Sequence, residues 1–200
     1  MPYCLREKIN LLTLVATTAV IAALLHGVAL AEELKSQNPK QPIVQQIGNI
    51  RVGSSLDSDV VEKYGEGFFI KNEGHGGGRY YTNKSHSYTF HIEIGADKLI
   101  EDVEIFSGDN IPQAAATAKP AISQKLPDTM SVDHGIKLGM KRTELISILG
   151  TPHNQKTTDS SLILEYNTSM DEDNRVLLYY DAHYEFKADR LIRIRIHDGC

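Results

Sequence analysis

The chain has 200 residues, with 21 Lys and Arg against 26 Asp and Glu and a formal net charge of −5. An acidic chain with no basic cluster excludes nucleic acid as the main partner and argues against an anionic membrane surface. Its only cysteines are Cys4 and Cys200, so no disulfide framework can replace a hydrophobic core.

Arg6 and Lys8 precede an apolar run, Ile9 to Ala31, that ends in Ala29-Leu30-Ala31 before Glu32-Glu33. A basic start, an apolar middle and small residues at −3 and −1 predict a secretory signal peptide over residues 1–31, cleaved after Ala31. The protein is then exported, periplasmic or extracellular. The alternative is an uncleaved anchor, because about 20 apolar residues can span a bilayer. Cys4 lies before the apolar run, so it is not the lipidated cysteine of a lipoprotein. Residues 32–46 are polar, carry Pro39 and Pro42, and read as a flexible leader.

A first module is expected from about residue 47 to 106. Ser54 or Ser55 is positioned to cap a helix whose buried stripe is Val60, Val61 and Tyr64, and Gly65 ends it. Strands are predicted at Arg79–Thr82, Ser87–Ile94 and Lys98–Phe106. Residues 107–133 carry Pro112, Pro120 and Pro127 and read as a linker with room for one short helix. A second module follows over residues 134–200. Leu145, Ile146, Ile148 and Leu149 have helical spacing. Gly150 suits a left-handed cap, and Pro152 stops continuation. Strands are predicted at Ser161–Asn167, Val176–Lys187 and Arg190–His197. In the last of these Ile192, Ile194 and Ile196 face a core, and Arg193 and Arg195 face water. Ala188-Asp189 and Gly95-Ala96-Asp97 are tight-turn chemistry.

The two modules match each other. Ile50, Val52, Gly53, Val60, Val61 and Gly65 fall on Ile136, Leu138, Gly139, Leu145, Ile146 and Gly150. Tyr81 falls on Tyr166, and Ala96 to Ile100 falls on Ala188 to Ile192. A repeat of about 85 to 92 residues is too long for a solenoid and suits two small domains. The expected fold class is α+β: two tandem small modules, each a helical segment packed on an antiparallel sheet.

The stretch Gly139-Met140-Lys141-Arg142-Thr143-Glu144-Leu145 through Gly150-Thr151-Pro152 resembles the opening of the BamE/SmpA outer-membrane assembly lipoproteins. It also resembles the β-lactamase-inhibitor-protein-like (BLIP-like) modules. Tyr166 and the run Phe186 to Ile194 follow the same pattern. The first copy follows it more faintly, with Ser54 at the Met position and no Pro after Gly65. Lys141 stands where the family has a hydroxyl residue. Two tandem copies behind a signal peptide resemble the inhibitor proteins more than the single-module lipoproteins, although the inhibitors' paired cysteines are missing. The resemblance implies a shape built for protein binding and no particular chemistry.

Motifs for chemistry are sparse. His86, His91 and Glu93 are close in sequence, His183 and Glu185 share a strand face, and His183 and His197 lie on neighbouring strands. No metal-binding spacing links them, and scattered solvent-facing histidines are expected. Gly74-His75-Gly76-Gly77-Gly78 lacks the Lys-Ser/Thr of a phosphate loop and reads as a loop leading into Arg79. Asp171-Glu172-Asp173 reads as a solvated hairpin tip without the calcium-loop pattern. No Gly-x-Ser-x-Gly elbow exists. No catalytic residue, metal or cofactor is expected, and the protein is read as a non-enzyme.

The nine tyrosines carry more information. Only alternate strand residues face a helix, so Tyr179 and Tyr180 cannot both be core. Tyr80, Tyr81, Tyr88, Tyr179, Tyr180 and Tyr184 are the candidate contacts to another protein, since tyrosine buries much area for little rotamer entropy. The competing reading is that these rings fill the core or the contact between modules. The expected function is an exported, non-enzymatic protein-binding protein, inhibitor-like or an envelope-assembly factor, that uses tyrosine-rich sheet faces. A membrane-tethered structural protein of the cell envelope is the alternative.

Overall fold

The computed structural model describes residues 44–71, 76–110, 117, 119–158, 160–172 and 175–198, the stretch 168–179 by its backbone alone. The predicted signal peptide, most of the leader and Cys200 lie outside these residues. The described residues form one compact unit.

The chain enters as a two-stranded hairpin, β1 (Gln46–Ile47) and β2 (Ile50–Arg51). Gly48 and Asn49 both have positive φ, the two-residue turn whose twist suits a hairpin. Val44 and Gln45 are already buried, and the backbone N–H groups of Gln45 and Gln46 donate to Asp133 Oδ2 at 3.0 and 3.1 Å. The leader therefore ends before Val44, not at residue 46.

Helix α1 (Asp57–Tyr64) buries Val60 and Tyr64. Its cap is Leu56, whose N–H donates to Asp59 Oδ2 at 2.8 Å. Neither expected serine caps it; the Ser55 hydroxyl accepts from Arg51 N–H instead. Helix α2 (Arg142–Leu149) repeats the arrangement: Lys141 is the cap residue, its N–H donates to Glu144 Oε2 at 2.7 Å, and Leu145 and Leu149 are buried. Gly65 and Gly150 end the two helices with φ of 90° and 79° and extended ψ of −177° and −162°. This region is open almost solely to glycine, but it is not the left-handed cap expected.

The remaining strands are β3 (Phe68–Ile70), β4 (Gly77–Thr82), β5 (Tyr88–Ile94), β6 (Ile100–Ser107), β7 (Ala121–Ile122), β8 (Asn154–Thr157), β9 (Leu162–Glu172), β10 (Arg175–Lys187) and β11 (Arg190–Asp198). They form one sheet in the order β3-β4-β5-β6-β11-β10-β9-β8, antiparallel throughout, with β7 added parallel to β4. The protein is α+β, a mostly antiparallel sheet with two helices. The order is the same read from either end: strands before residue 108 fill one side, strands after 153 the other, and β6 meets β11 in the middle. Glu104 lies opposite Arg195 at the centre of that junction.

Local details recur on both sides. Gly53 N–H donates to Ile100 O and Gly139 N–H to Leu191 O, each at 2.8 Å. Tyr81 O–H donates to Gly65 O at 2.8 Å, and Tyr166 O–H to Gly150 O at 2.9 Å. A bulge follows the last hairpin on each side, between Glu93 and Ile94 and between Glu185 and Phe186. The second bulge corrects the alternation expected for β11: Leu191 is buried with Ile194 and Ile196, while Ile192 is only partly covered. The hairpin loops differ by one residue, since Ile94 pairs with Ile100 but Phe186 with Leu191. Ile100 therefore occupies the position of Leu191, one residue off the match read from the sequence.

Both helices pack on one face of the sheet. A single cluster of buried residues there includes Val60, Phe90, Ile105, Leu145, Tyr184 and Ile194. The expected linker is partly built into this structure. Leu126 and Met130 are buried, Tyr88 O–H donates to Pro127 O at 2.6 Å, and Ser123 O–H donates to Tyr64 O at 2.7 Å. No helix among the described residues is long and apolar enough to cross a membrane.

Candidate protein-binding surface

Tyr81, Tyr88, Tyr180 and Tyr184, four of the six tyrosines proposed as partner contacts, are buried in the core. Sequence alternation shows that neighbouring residues face opposite ways but not which set faces the helices. In β4, β5 and β10 it is the set holding Tyr81, Tyr88, Tyr180 and Tyr184. Burial pushes the phenols of Tyr81, Tyr88 and Tyr184 well above their ordinary value. Tyr64 and Tyr166 are pushed up to about 12 by the same cause. Tyr80 is on the open face, half-covered, its ring stacked on His91 with centroids 4.2 Å apart. Tyr179 pairs with Ser169, and its side chain lies outside the described set.

The open face of the sheet is polar and closely paired. One cross-strand row runs Glu165, His183, Arg195, Glu104, His91, Tyr80. The next runs Asn167, Asp181, His197, Asp102, Glu93. Glu104 and Asp102 are buried beneath the guanidinium groups. Arg193 Nε donates to Glu104 Oε1 at 2.9 Å, and Arg195 Nε to Asp102 Oδ2 at 2.6 Å. Such pairs hold β6 to β11, because removing one partner strands the other charge away from water. His91 lies 3.6 Å from Glu104, His183 2.9 Å from Asp181 and His197 3.5 Å from Asp102. These three histidines are thus not scattered over solvent; the sheet gathers them on one face, each beside a carboxylate. Among the described residues no three of His, Cys, Asp and Glu are arranged to hold a metal ion.

The two outer edges of the sheet differ sharply. At one, Phe68, Phe69 and Ile70 are all exposed, and Ile122 of β7 continues the apolar surface along the same side of β4. Among the described residues no strand pairs with the outer side of β3. Arg79 holds this edge in place. Its Nε and Nη2 donate to Asp57 at 2.5 and 3.0 Å, Nη1 donates to the Glu66 carbonyl, and the guanidinium lies 4.8 Å from the Phe69 ring centre. Gly67 has φ of 64°, and a Cβ there would come within 2.6 Å of the Tyr81 ring. The strand can therefore lie this close only with glycine at that position. At the opposite edge β8 reads Asn154-Gln155-Lys156-Thr157. Lys156 Nζ is 2.6 Å from Glu165 and Asn154 Nδ2 donates to it at 2.7 Å. The hydrogen bond from Lys156 holds the Glu165 carboxyl below its ordinary range.

Neither edge strand was expected from the sequence. A three-residue apolar run shows no period, and a polar run of four resembles a loop. The one available signal was Phe68-Phe69-Ile70 bracketed by glycine and a polar stretch.

No protein-family model matches the chain, and no curated protein matches it. Among solved structures the chain is similar to a DUF4309 family protein (YjgB) from Bacillus subtilis subsp. subtilis str. 168. The TM-score is 0.43 at 12% identity, over 76% of this chain and 83% of that one.

Proposed function

We propose that this chain is an exported, non-enzymatic protein that binds another protein, and that the edge formed by β3 and β7 is the binding surface. One observation carries the reading: Phe68, Phe69 and Ile70 stand exposed on an edge strand whose outer side has no strand against it among the described residues. Soluble proteins blunt such edges with charge, proline or cover because they template pairing. An extended segment of a partner that adds itself to the edge gains main-chain hydrogen bonds and buries the three apolar side chains. Tyr80 adjoins the site across β4, paired with Phe68.

The two sides of the sheet are, on this reading, two copies of one BLIP-like or BamE/SmpA-like module. The mirrored strand order, the paired tyrosine-to-glycine hydrogen bonds and the repeated bulge support it. An inhibitor-like or envelope-assembly role follows. The test is affinity capture from the exported fraction with the native chain and with Phe69→Lys. A protein retained by the native chain and lost with the variant fits; equal retention by both sinks the edge as the site. Intact mass of the mature protein addresses export, since a start at Glu32 removes the tether of the alternative reading.

A further inference from the structure

We propose that His197 is a proton-operated latch joining the two sides of the sheet. His197 stands on β11 directly between Asp181 on β10 and Asp102 on β6. Four polar atoms of this row are shielded from solvent and have no hydrogen-bond partner among the described residues: Asn167 Oδ1, Asp181 Oδ1, His197 Nδ1 and Asp102 Oδ1. Buried polar atoms of folded proteins are nearly always paired, so a run of four calls for a physical reason. Three are acceptor oxygens, and the imidazole between the two carboxylates is a group that gains a second N–H donor near neutral pH.

The imidazole as it stands makes poor use of its position. Nδ1 lies 3.5 Å from Asp102 Oδ2, beyond a good hydrogen bond. That oxygen is already taken by Arg195, and Asp181 Oδ2 is taken by His183. An imidazolium carries N–H groups on both nitrogens and a charge that both flanking carboxylates attract. The groups facing it are Asp102 and Glu104 from β6, Asp181 and His183 from β10, Arg195 from its own strand, and Glu93 across β6, while Asp198 adds its charge from the opposite face of β11. A cleft of about 300 Å³ beside the ring adds Asp97 and Glu101. Carboxylates outnumber cations in this set, and Arg195 is the main opposing charge. The Asp102 carboxylate raises the imidazole above its ordinary 6.5, against burial and Arg195, which act downward.

A raised folded-state value gives the sign. The added stability is fully present below about pH 6.5 and is lost as pH rises through the folded value. Mild acid therefore tightens β6 against β11, the reverse of ordinary acid loosening.

The test follows the His197 ring protons by NMR in the mature chain as pH is varied, together with denaturant midpoints across about pH 6 to 8. His197→Gln assigns the resonance, and Asp181→Asn removes one flanking charge without touching the Asp102–Arg195 pair. The proposal expects a His197 titration midpoint above 6.5, where a midpoint one pH unit higher means about tenfold tighter proton binding. It also expects a lower midpoint in Asp181→Asn and a flatter pH–stability curve in His197→Gln. A midpoint at or below 6.5 in the native chain overturns it even where the variants fail to fold. So does a raised midpoint with the full pH slope retained by His197→Gln.

Discussion

The two outer edges of the sheet hold equivalent places and opposite chemistry. Phe68 pairs with Tyr80 as Asn154 pairs with Glu165, and Phe69 pairs with Arg79 as Gln155 pairs with Leu164. At the β8 edge the exposed positions are polar, and Lys156 presents its charge there, the usual protection against stray pairing. At the β3 edge the same positions are aromatic and aliphatic. The difference extends inward: Leu164 is an ordinary core residue, whereas Arg79 at the matching place ties Asp57, the Glu66 carbonyl and the Phe69 ring together. A buried arginine replaces apolar packing where the strand beyond it must be held in place. One edge is finished by its own polar side chains; the other leaves apolar side chains exposed.

The largest way to break this contrast is Arg79→Leu, which gives the first side the residue of the second. It leaves Asp57 without its cation and releases β3. A stranded carboxylate with some residual exposure costs about 2 to 3 kcal/mol, read by urea denaturation, and the double variant Arg79→Leu/Asp57→Leu recovers part of it. No loss in the single variant means that Arg79 does not hold the edge.

Tyr81→Phe and Tyr166→Phe sharpen what the two sides share. Each deletes one hydrogen bond to the glycine carbonyl at a helix end, at about 1 kcal/mol. The account expects the two costs to match. Calorimetric stability losses that differ several-fold would show that the equivalent bonds carry different loads.

The smallest effect belongs to the polar edge. Lys156→Ala removes the hydrogen bond that lowers Glu165. The contribution of that carboxylate is present above its ordinary range and lost as pH falls through the folded value. The variant should raise the Glu165 midpoint seen by NMR while leaving neutral-pH stability nearly unchanged, as exposed pairs do. An unmoved midpoint would mean that Lys156 does not engage Glu165 in solution.

Much of this frame was legible in the sequence for physical reasons. The stripe of Leu145 and Leu149 and the glycines after each helix mark where α1 and α2 end. The repeated spacing of Gly53 and Gly139 marks equivalent turns. Ile194 and Ile196 were placed correctly because simple alternation holds there; Ile192 was not, because a bulge costs one residue and leaves no mark on the pattern. Tyr81, Tyr88, Tyr180 and Tyr184 prove buried for a similar reason, since period two separates two faces without saying which is covered. Residues 119–133 looked like a linker because Pro120 and Pro127 interrupt any period. Their attachment comes instead from distant partners such as Tyr88 and Tyr64. The apolar edge was missed because three residues are too few to show a pattern, and only the outermost place of β3 among the described strands gives them meaning.

Amide hydrogen exchange of the mature chain, alone and bound to a captured partner, tests the β3 edge most directly. The account predicts that protection rises at Phe68, Phe69 and Ile70 and stays unchanged at Asn154 to Thr157. Protection that appears at β8 or on the helices while β3 exchanges as before would contradict it.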